Sequence, residues 1–256
     1  MKKKIQNIEV SGIERLNEEH FLLNLYSKTN LPEILPGQFA QILIENSRTT
    51  FLRRPFSVHN ISYSNNTITF LVQIVGDGTR SLSRLREGDM VSIVYPLGNS
   101  FTMGAEDNVL LVGGGCGVAP LLFLARYLYE NGHKMTILIG GKTRKDILRI
   151  REYQKYGNVL ITTEDGSLGE KGLVTQHPLL QAFDLEFDKI YTCGPELMMK
   201  AVGEMAKIRN IECEVSLERI MACGIGACLC CVIDTPDGNR CVCTEGPVFN
   251  VNELKW

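Results

Sequence analysis

The run Cys223-Gly224-Ile225-Gly226-Ala227-Cys228-Leu229-Cys230-Cys231 concentrates reactive sulfur, and seven of the chain's nine cysteines follow position 212. Through Cys223, Cys228 and Cys231 it reads C-x4-C-x2-C, the plant-type ligand spacing of a [2Fe–2S] cluster. Cys243 offers a fourth thiolate, with Cys241 as competitor. Gly224 and Gly226 fall inside the first gap, where the backbone must curl around a cluster and turn amide N–H groups toward its sulfurs. Glycine takes the required positive-φ conformations at little cost. Structural zinc also takes four cysteines, but its pairs are usually C-x2-4-C knuckles separated by a longer loop. A disulfide framework calls for an oxidising compartment, and nine cysteines is an odd number. The adjacent Cys230 and Cys231 leave the third ligand open between them.

A second chemical feature is Gly113-Gly114-Gly115-Cys116-Gly117-Val118-Ala119-Pro120. It follows an apolar run and precedes a helical pattern, so its glycines would let the backbone approach a pyrophosphate at a helix N-terminus. The tail reads G-x-G-x-x-P rather than G-x-G-x-x-G, and proline is well tolerated in a helix's first turn. Tight packing alone would also account for these glycines. Further on, Thr163-Glu164-Asp165-Gly166 places carboxylates where they would accept from a ribose 2′-OH and repel a 2′-phosphate, or simply form a solvated acidic turn.

The N-terminal part carries two weaker signals. Phe51-Leu52-Arg53-Arg54-Pro55-Phe56-Ser57 groups cations, an aromatic ring and a hydroxyl, and arginine's planar fork matches phosphate. Gly76-Asp77-Gly78-Thr79-Arg80 would present backbone N–H groups and a hydroxyl to a second phosphate, or form a plain hairpin turn.

Three kinds of element must position these groups, in an α+β multidomain arrangement. Residues 1–103 read as short strands (Phe39–Ile44, Thr67–Val75, Met90–Tyr95) separated by turn formers, with a short helix at Arg80–Leu85, which suggests an antiparallel β-barrel. Residues 104–210 alternate strand and helix: Val109–Val112, Pro120–Glu130, Met135–Ile139, Asp146–Tyr153, Val159–Thr162, Val174–Ala182, Lys189–Cys193 and Glu196–Arg209. That pattern describes an α/β domain with a mostly parallel sheet. Residues 211–256 hold the cysteine segment, too short for a core of its own.

Composition adds exclusions. A net charge of −2 gives no reason to expect nucleic acid or an anionic membrane as partner. Met1-Lys2-Lys3-Lys4 is followed by Ile5-Gln6-Asn7-Ile8-Glu9 rather than an apolar segment, so no export is indicated. The uncharged stretch Val109–Ala125 is shorter than a membrane span and is broken by glycines and a proline. A cytoplasmic location is expected. The four histidines, His20, His59, His133 and His177, belong to no motif.

A nicotinamide exchanges two electrons as hydride and a [2Fe–2S] cluster exchanges one, so a chain holding both needs a converter, and flavin is the common solution. At this point the sequence resembles the ferredoxin–NADP reductase superfamily, through R-P-F-S, G-D-G-T, G-G-G-C-G-V-A-P and Cys193-Gly194-Pro195. Its C-G-I-G-A-C-x-x-C followed by C-x-E-G-P-V-F narrows the likeness to the electron-transfer subunits of dihydroorotate dehydrogenase B, the NAD-dependent bacterial enzyme of pyrimidine synthesis.

The resemblance implies FAD in the barrel. Arg54 would bind its pyrophosphate, Pro55 and Phe56 would shape the isoalloxazine site, and Ser57 would lie near the flavin N5. Phe56 stands where many members of the superfamily have tyrosine. Leu71, Val72 and Gln73 would line the flavin, and Gly78 and Thr79 its phosphate turn. Gly113, Gly115, Gly117 and Pro120 would accept NAD, with Cys193 and Gly194 near the nicotinamide. Cys223, Cys228, Cys231 and Cys243 would hold the [2Fe–2S] cluster, Cys230 and Cys241 being additions to the family pattern.

No catalytic acid or base is implied in this chain. An FMN-containing catalytic subunit is the implied partner, in a heterotetramer of two of each. Two other readings stand beside this one. The first is the small subunit of an NAD(P)H–ferredoxin oxidoreductase or sulfide dehydrogenase, and the second a zinc-stabilised redox-sensing or binding module.

Overall fold

Strands rich in large apolar residues dominate the N-terminal part, and six of them pack their side chains against one another as a closed barrel. The computed structural model describes residues 3–45, 47, 49–105, 107–183 and 185–256. The barrel strands are β1 (Lys4–Arg15), β2 (His20–Tyr26), β3 (Phe39–Ile42), β4 (Arg54–Ser62), β5 (Thr67–Gln73) and β6 (Met90–Leu97). They run in the order β1-β2-β5-β4-β3-β6, every pair antiparallel. Phe21, Leu23 and Leu25 on β2, with Ile68, Phe70 and Val72 on β5, are completely buried. Closure removes the free strand edges that would otherwise invite pairing with other chains.

A seven-stranded sheet forms the second architecture, in the order β10-β9-β8-β7-β11-β12-β15. Its strands are β7 (Asn108–Gly114), β8 (Lys134–Gly141), β9 (Asn158–Thr163), β10 (Glu170–Lys171), β11 (Lys189–Cys193), β12 (Glu212–Ser216) and β15 (Val248–Asn250). All pairs are parallel except β12 with β15. β7, β8 and β11 are buried almost throughout, as expected of parallel strands covered on both faces. Helix α2 (Ala119–Glu130) follows β7, and α5 (Glu196–Ile208) follows β11.

Two units result. One comprises the chain up to Ser100 with Glu218–Ile233 and Arg240–Pro247; the other comprises Phe101–Leu217, Asp234–Asn239 and Val248–Trp256. A short hairpin of β13 (Val232–Thr235) and β14 (Gly238–Cys241) completes the strands. Among the described residues no helix is long and apolar enough to cross a membrane.

A buried ionic network fixes the start of β11 in the second unit. Lys189 Nζ is 2.7 Å from Glu212 and 3.3 Å from Glu214, and donates to Thr102 Oγ1 at 2.5 Å. Tyr191 donates its hydroxyl to the Thr102 carbonyl at 2.8 Å, and Thr102 also bonds the Glu214 carboxylate. Removing the cation from a buried pair strands the anion, so Lys189→Met is expected to cost about 3–5 kcal/mol. Urea denaturation followed through the second unit's helices checks this, and an unchanged midpoint would refute it.

Three helices differ from the sequence expectation, each for a local reason. Helix α1 spans Asp77–Leu82, three residues earlier than Arg80–Leu85, because Gly76 caps it and Thr79 Oγ1 accepts from Val75 and Gly76 N–H at 2.9 and 3.2 Å. The Gly76–Arg80 segment is therefore a helix start and not a hairpin turn. The Asp146–Tyr153 helix is split into a 3-10 turn at Arg144–Asp146 and α3 (Ile150–Tyr153), since Arg149 takes a left-handed φ of 61°. Val174–Ala182 is likewise split before α4 (Pro178–Gln181), because Pro178 holds His177 in an extended conformation.

Candidate functional site

The cysteine loop belongs to the barrel unit and lies against β3 and β6. A methyl group built on Gly224 would stand 2.9 Å from Gln41 Cγ and 3.1 Å from Leu97 Cδ1. Further along, Asn99 N–H donates to the Gly246 carbonyl at 2.7 Å and Asn99 Nδ2 to the Glu245 carbonyl at 2.9 Å. Gly224 and Gly226 have φ of 69° and 81°, the left-handed turn that their spacing required.

That turn aims amides at sulfur. Cys223 Sγ accepts from Ile225 N at 3.4 Å and Ala227 N at 3.3 Å, and Cys243 Sγ accepts from Gly226 N at 3.1 Å. Cys231 Sγ accepts from Cys243 N at 3.4 Å. Desolvation works to raise the Cys223 pKa, but the amides of Ile225, Cys228 and Ala227 and the Cys228 thiol outweigh it and bring it down to about 6. Burial, then the bond to Cys231, pushes Cys243 up to about 12. Cys231 and Cys243 are buried, Cys223 is half-buried and Cys228 is exposed. Soft sulfur ligands that accept backbone N–H donors are the donor set that suits an iron–sulfur cluster.

The two extra cysteines are placed differently. Cys230 is exposed and its thiol donates to the Ile220 carbonyl at 3.6 Å. Cys241 is half-buried, opposite Glu245, whose carboxylate accepts its N–H at 2.6 Å.

On the same unit, the R-P-F-S run forms the start of β4. Its register with β3 pairs Arg54 with Ile42, Pro55 with Gln41, Phe56 with Ala40 and Ser57 with Phe39. Pro55 and Ser57 thus share a face with Gln41 and Phe39, while Arg54 and Phe56 share the other. The two arginines are not equivalent. Arg53 donates from Nη1 to the Ser92 carbonyl at 2.7 Å and from Nη2 to Ser92 Oγ at 2.9 Å. Among the described residues Arg54 makes only a 3.3 Å contact to the Leu52 carbonyl and a longer one to Arg53, which leaves its fork available to an anion. Leu71 and Val72 are buried on β5 and Gln73 is half-buried at its end. Gly78 lets α1 approach Thr50, whose Cγ2 would be 3.2 Å from any added methyl group.

The second unit brings its own motif together. Gly113 and Gly114 end β7, a 3-10 turn covers Gly115–Val118, and Ala119 and Pro120 are buried at the start of α2. Gly115 has φ of 54° with open space where a side chain would be. A methyl group on Gly117 would collide with Gly194 and the Cys193 carbonyl, so the two loops touch backbone to backbone. Tyr153, which no sequence signal singled out, donates its buried hydroxyl to the Val118 carbonyl at 2.6 Å and anchors the turn. Burial holds that phenol well above its usual pKa, with the neighbouring Cys193 adding to the rise. Glu164 and Asp165 lie in an exposed turn after β9. Hydrogen bonds from the Ser167 hydroxyl at 2.6 Å and N–H at 2.9 Å lower the Asp165 pKa. His177 caps α4, its Nδ1 accepting from Leu179 N at 3.0 Å.

Comparison with known proteins agrees with these parts. Residues 218–255 match the iron–sulfur cluster binding domain of dihydroorotate dehydrogenase B, and residues 111–204 match the oxidoreductase NAD-binding domain. The dihydroorotate dehydrogenase B (NAD+) electron transfer subunit of Caldanaerobacter subterraneus subsp. tengcongensis is 41% identical over 223 residues, 86% of each chain. That of Clostridium perfringens is 40% identical over 254 residues, 98% of this chain and 96% of that one. Among solved structures, a chain of an NADH-dependent reduced ferredoxin–NADP oxidoreductase superposes with a TM-score of 0.88 at 31% identity, covering 97% of this chain and 90% of that one. With relatives this similar along nearly its whole length, the chain belongs to the family of dihydroorotate dehydrogenase B electron-transfer subunits.

Proposed function

We propose that this chain relays electrons within an NAD-dependent dihydroorotate dehydrogenase, from the FMN of a separate catalytic subunit, by way of a [2Fe–2S] cluster and FAD, to NAD+. The observation that carries the reading is the cysteine loop under its amide donors, packed on β3 and β6 of the barrel, with β3 the neighbour of the strand that bears R-P-F-S. A bound flavin exchanges hydride with a nicotinamide and single electrons with an iron–sulfur centre.

The chain's own residues bind and orient. Cys223, Cys228, Cys231 and Cys243 hold the cluster, while Cys230 is occupied by the Ile220 carbonyl. Arg54 takes the FAD pyrophosphate because Arg53 is committed to Ser92. Pro55, Phe56, Ser57, Leu71, Val72 and Gln73 shape the flavin's ring site, with Gly78 and Thr79 at its phosphates. Gly113, Gly115, Gly117 and Pro120 form the NAD pyrophosphate turn, and Cys193 and Gly194 lie at the nicotinamide end. Glu164 is the acceptor for the adenosine ribose, since Asp165 is engaged by Ser167. That arrangement favours NADH over NADPH.

The exposed Cys228 is accompanied by exposed Ile220, Ile225 and Leu229 in the same segment. Apolar side chains displayed beside a redox ligand suit the catalytic subunit as partner, in a cytoplasmic heterotetramer of two of each. The likeness to the NADH-dependent ferredoxin–NADP oxidoreductase chain favours a second reading, the same relay serving a different flavoprotein. Anaerobic affinity purification from the native host separates the two. Co-purification of an FMN-containing subunit that forms orotate supports the dihydroorotate reading. Recovery with a glutamate-synthase-like flavoprotein overturns it.

A further inference from the structure

Gln41 is completely buried in the middle of β3, yet neither Nε2 nor Oε1 of its amide has a hydrogen-bond partner among the described residues. Buried side-chain amides are nearly always satisfied, so one that the polypeptide leaves unsatisfied points to a bound group. Its neighbours say which. Gln41 pairs across the sheet with Pro55 of the R-P-F-S run on one side and with Val94 on the other. The cysteine loop covers it: a methyl group on Gly224 would stand 3.0 Å from Gln41 Nε2, and Gly224 directly follows Cys223. Ala40 and Ile42 on either side are apolar and fully buried, so a polar residue at this position is not there to meet solvent.

We propose that Gln41 is a positioning residue for the one-electron centre, its amide N–H donating to cluster sulfur at the Cys223 end and raising the cluster's reduction potential. This rests on the reading of Cys223 as a cluster ligand. Reduction adds negative charge to the sulfurs, so a donor aimed at them stabilises the reduced form more than the oxidised one. The backbone donors from Ile225, Gly226 and Ala227 are part of the turn itself. Gln41 supplies a side-chain donor from the barrel, next to the strand that carries the flavin motif.

The test is an EPR-monitored redox titration of anaerobically purified, cluster-loaded protein, comparing Gln41→Met with the parent. Methionine keeps the unbranched shape and removes the N–H. The expected result is a roughly tenfold lower ratio of reduced to oxidised cluster at fixed ambient potential, about 59 mV for one electron. The flavin potential, followed by visible absorbance, should not move. An unchanged cluster potential with full iron content, or a shift confined to the flavin, overturns the proposal. If Gln41→Met fails to assemble a cluster, Gln41→Leu decides by the same shift or its absence. A parent protein without a cluster signal would instead defeat the reading of the cysteines and leave Gln41 with no donor role.

Discussion

Replacing Cys243 with serine should reduce dihydroorotate-dependent NAD+ reduction, measured with the catalytic subunit present, by more than about a hundredfold. Changes to outer-shell groups at metal sites already cost about 10–100-fold, and this one removes a thiol proposed as a ligand. Cys243 is buried and its Sγ receives the Gly226 N–H at 3.1 Å, so losing the sulfur frees the amide that fixes the turn. NADH oxidation with ferricyanide should persist, because that route leaves from the flavin. Cys230→Ser is the matched control: its thiol turns to the Ile220 carbonyl, and cluster content and turnover should stay near the parent values. Equal losses in both variants would show that the ligand set is misassigned.

A second large effect is expected at Gly117. Any Cβ there meets the backbone of Gly194 and the Cys193 carbonyl, groups that no side-chain rotation can move aside. Gly117→Ala must therefore push the β7–α2 turn away from the Cys193–Gly194 loop, misplacing the proposed pyrophosphate turn against the proposed nicotinamide end. A displacement of about 1 Å in a positioning element can cost about a hundredfold. The kcat/KM for NADH with ferricyanide should fall by about that factor, with FAD and cluster spectra unchanged. Gly115→Ala provides contrast, as it meets open space and strains only the backbone at φ 54°. If Gly117→Ala leaves kcat/KM for NADH intact, the contact between the two loops does not organise the site.

Much of this architecture is legible in the sequence because it rests on local signals. Apolar runs bounded by Pro36-Gly37, Glu87-Gly88-Asp89 and Pro96-Leu97-Gly98 mark barrel strands, and the glycines before Pro120 mark a strand ending where a helix begins. The cysteine spacing likewise reports a loop closed on itself by Gly224 and Gly226. Features that depend on distant packing are not legible. Strand β15 is three residues long and joins β12 from far along the chain. Arg149 takes a left-handed conformation with no glycine or asparagine to announce it. Arg53 and Arg54 look alike in sequence, and only the Ser92 contacts distinguish them. Nothing in the sequence marks Gln41 as buried, since the cysteine loop that covers it comes from far along the chain.

The central claim, that one polypeptide joins a two-electron carrier to a one-electron centre through flavin, is tested most directly by an anaerobic NADH titration followed by visible absorbance and EPR. Loss of flavin absorbance together with the growth of a reduced [2Fe–2S] signal, at one FAD and two irons per chain, is the predicted result. Colourless protein carrying zinc, or flavin that bleaches with no cluster signal, would contradict it.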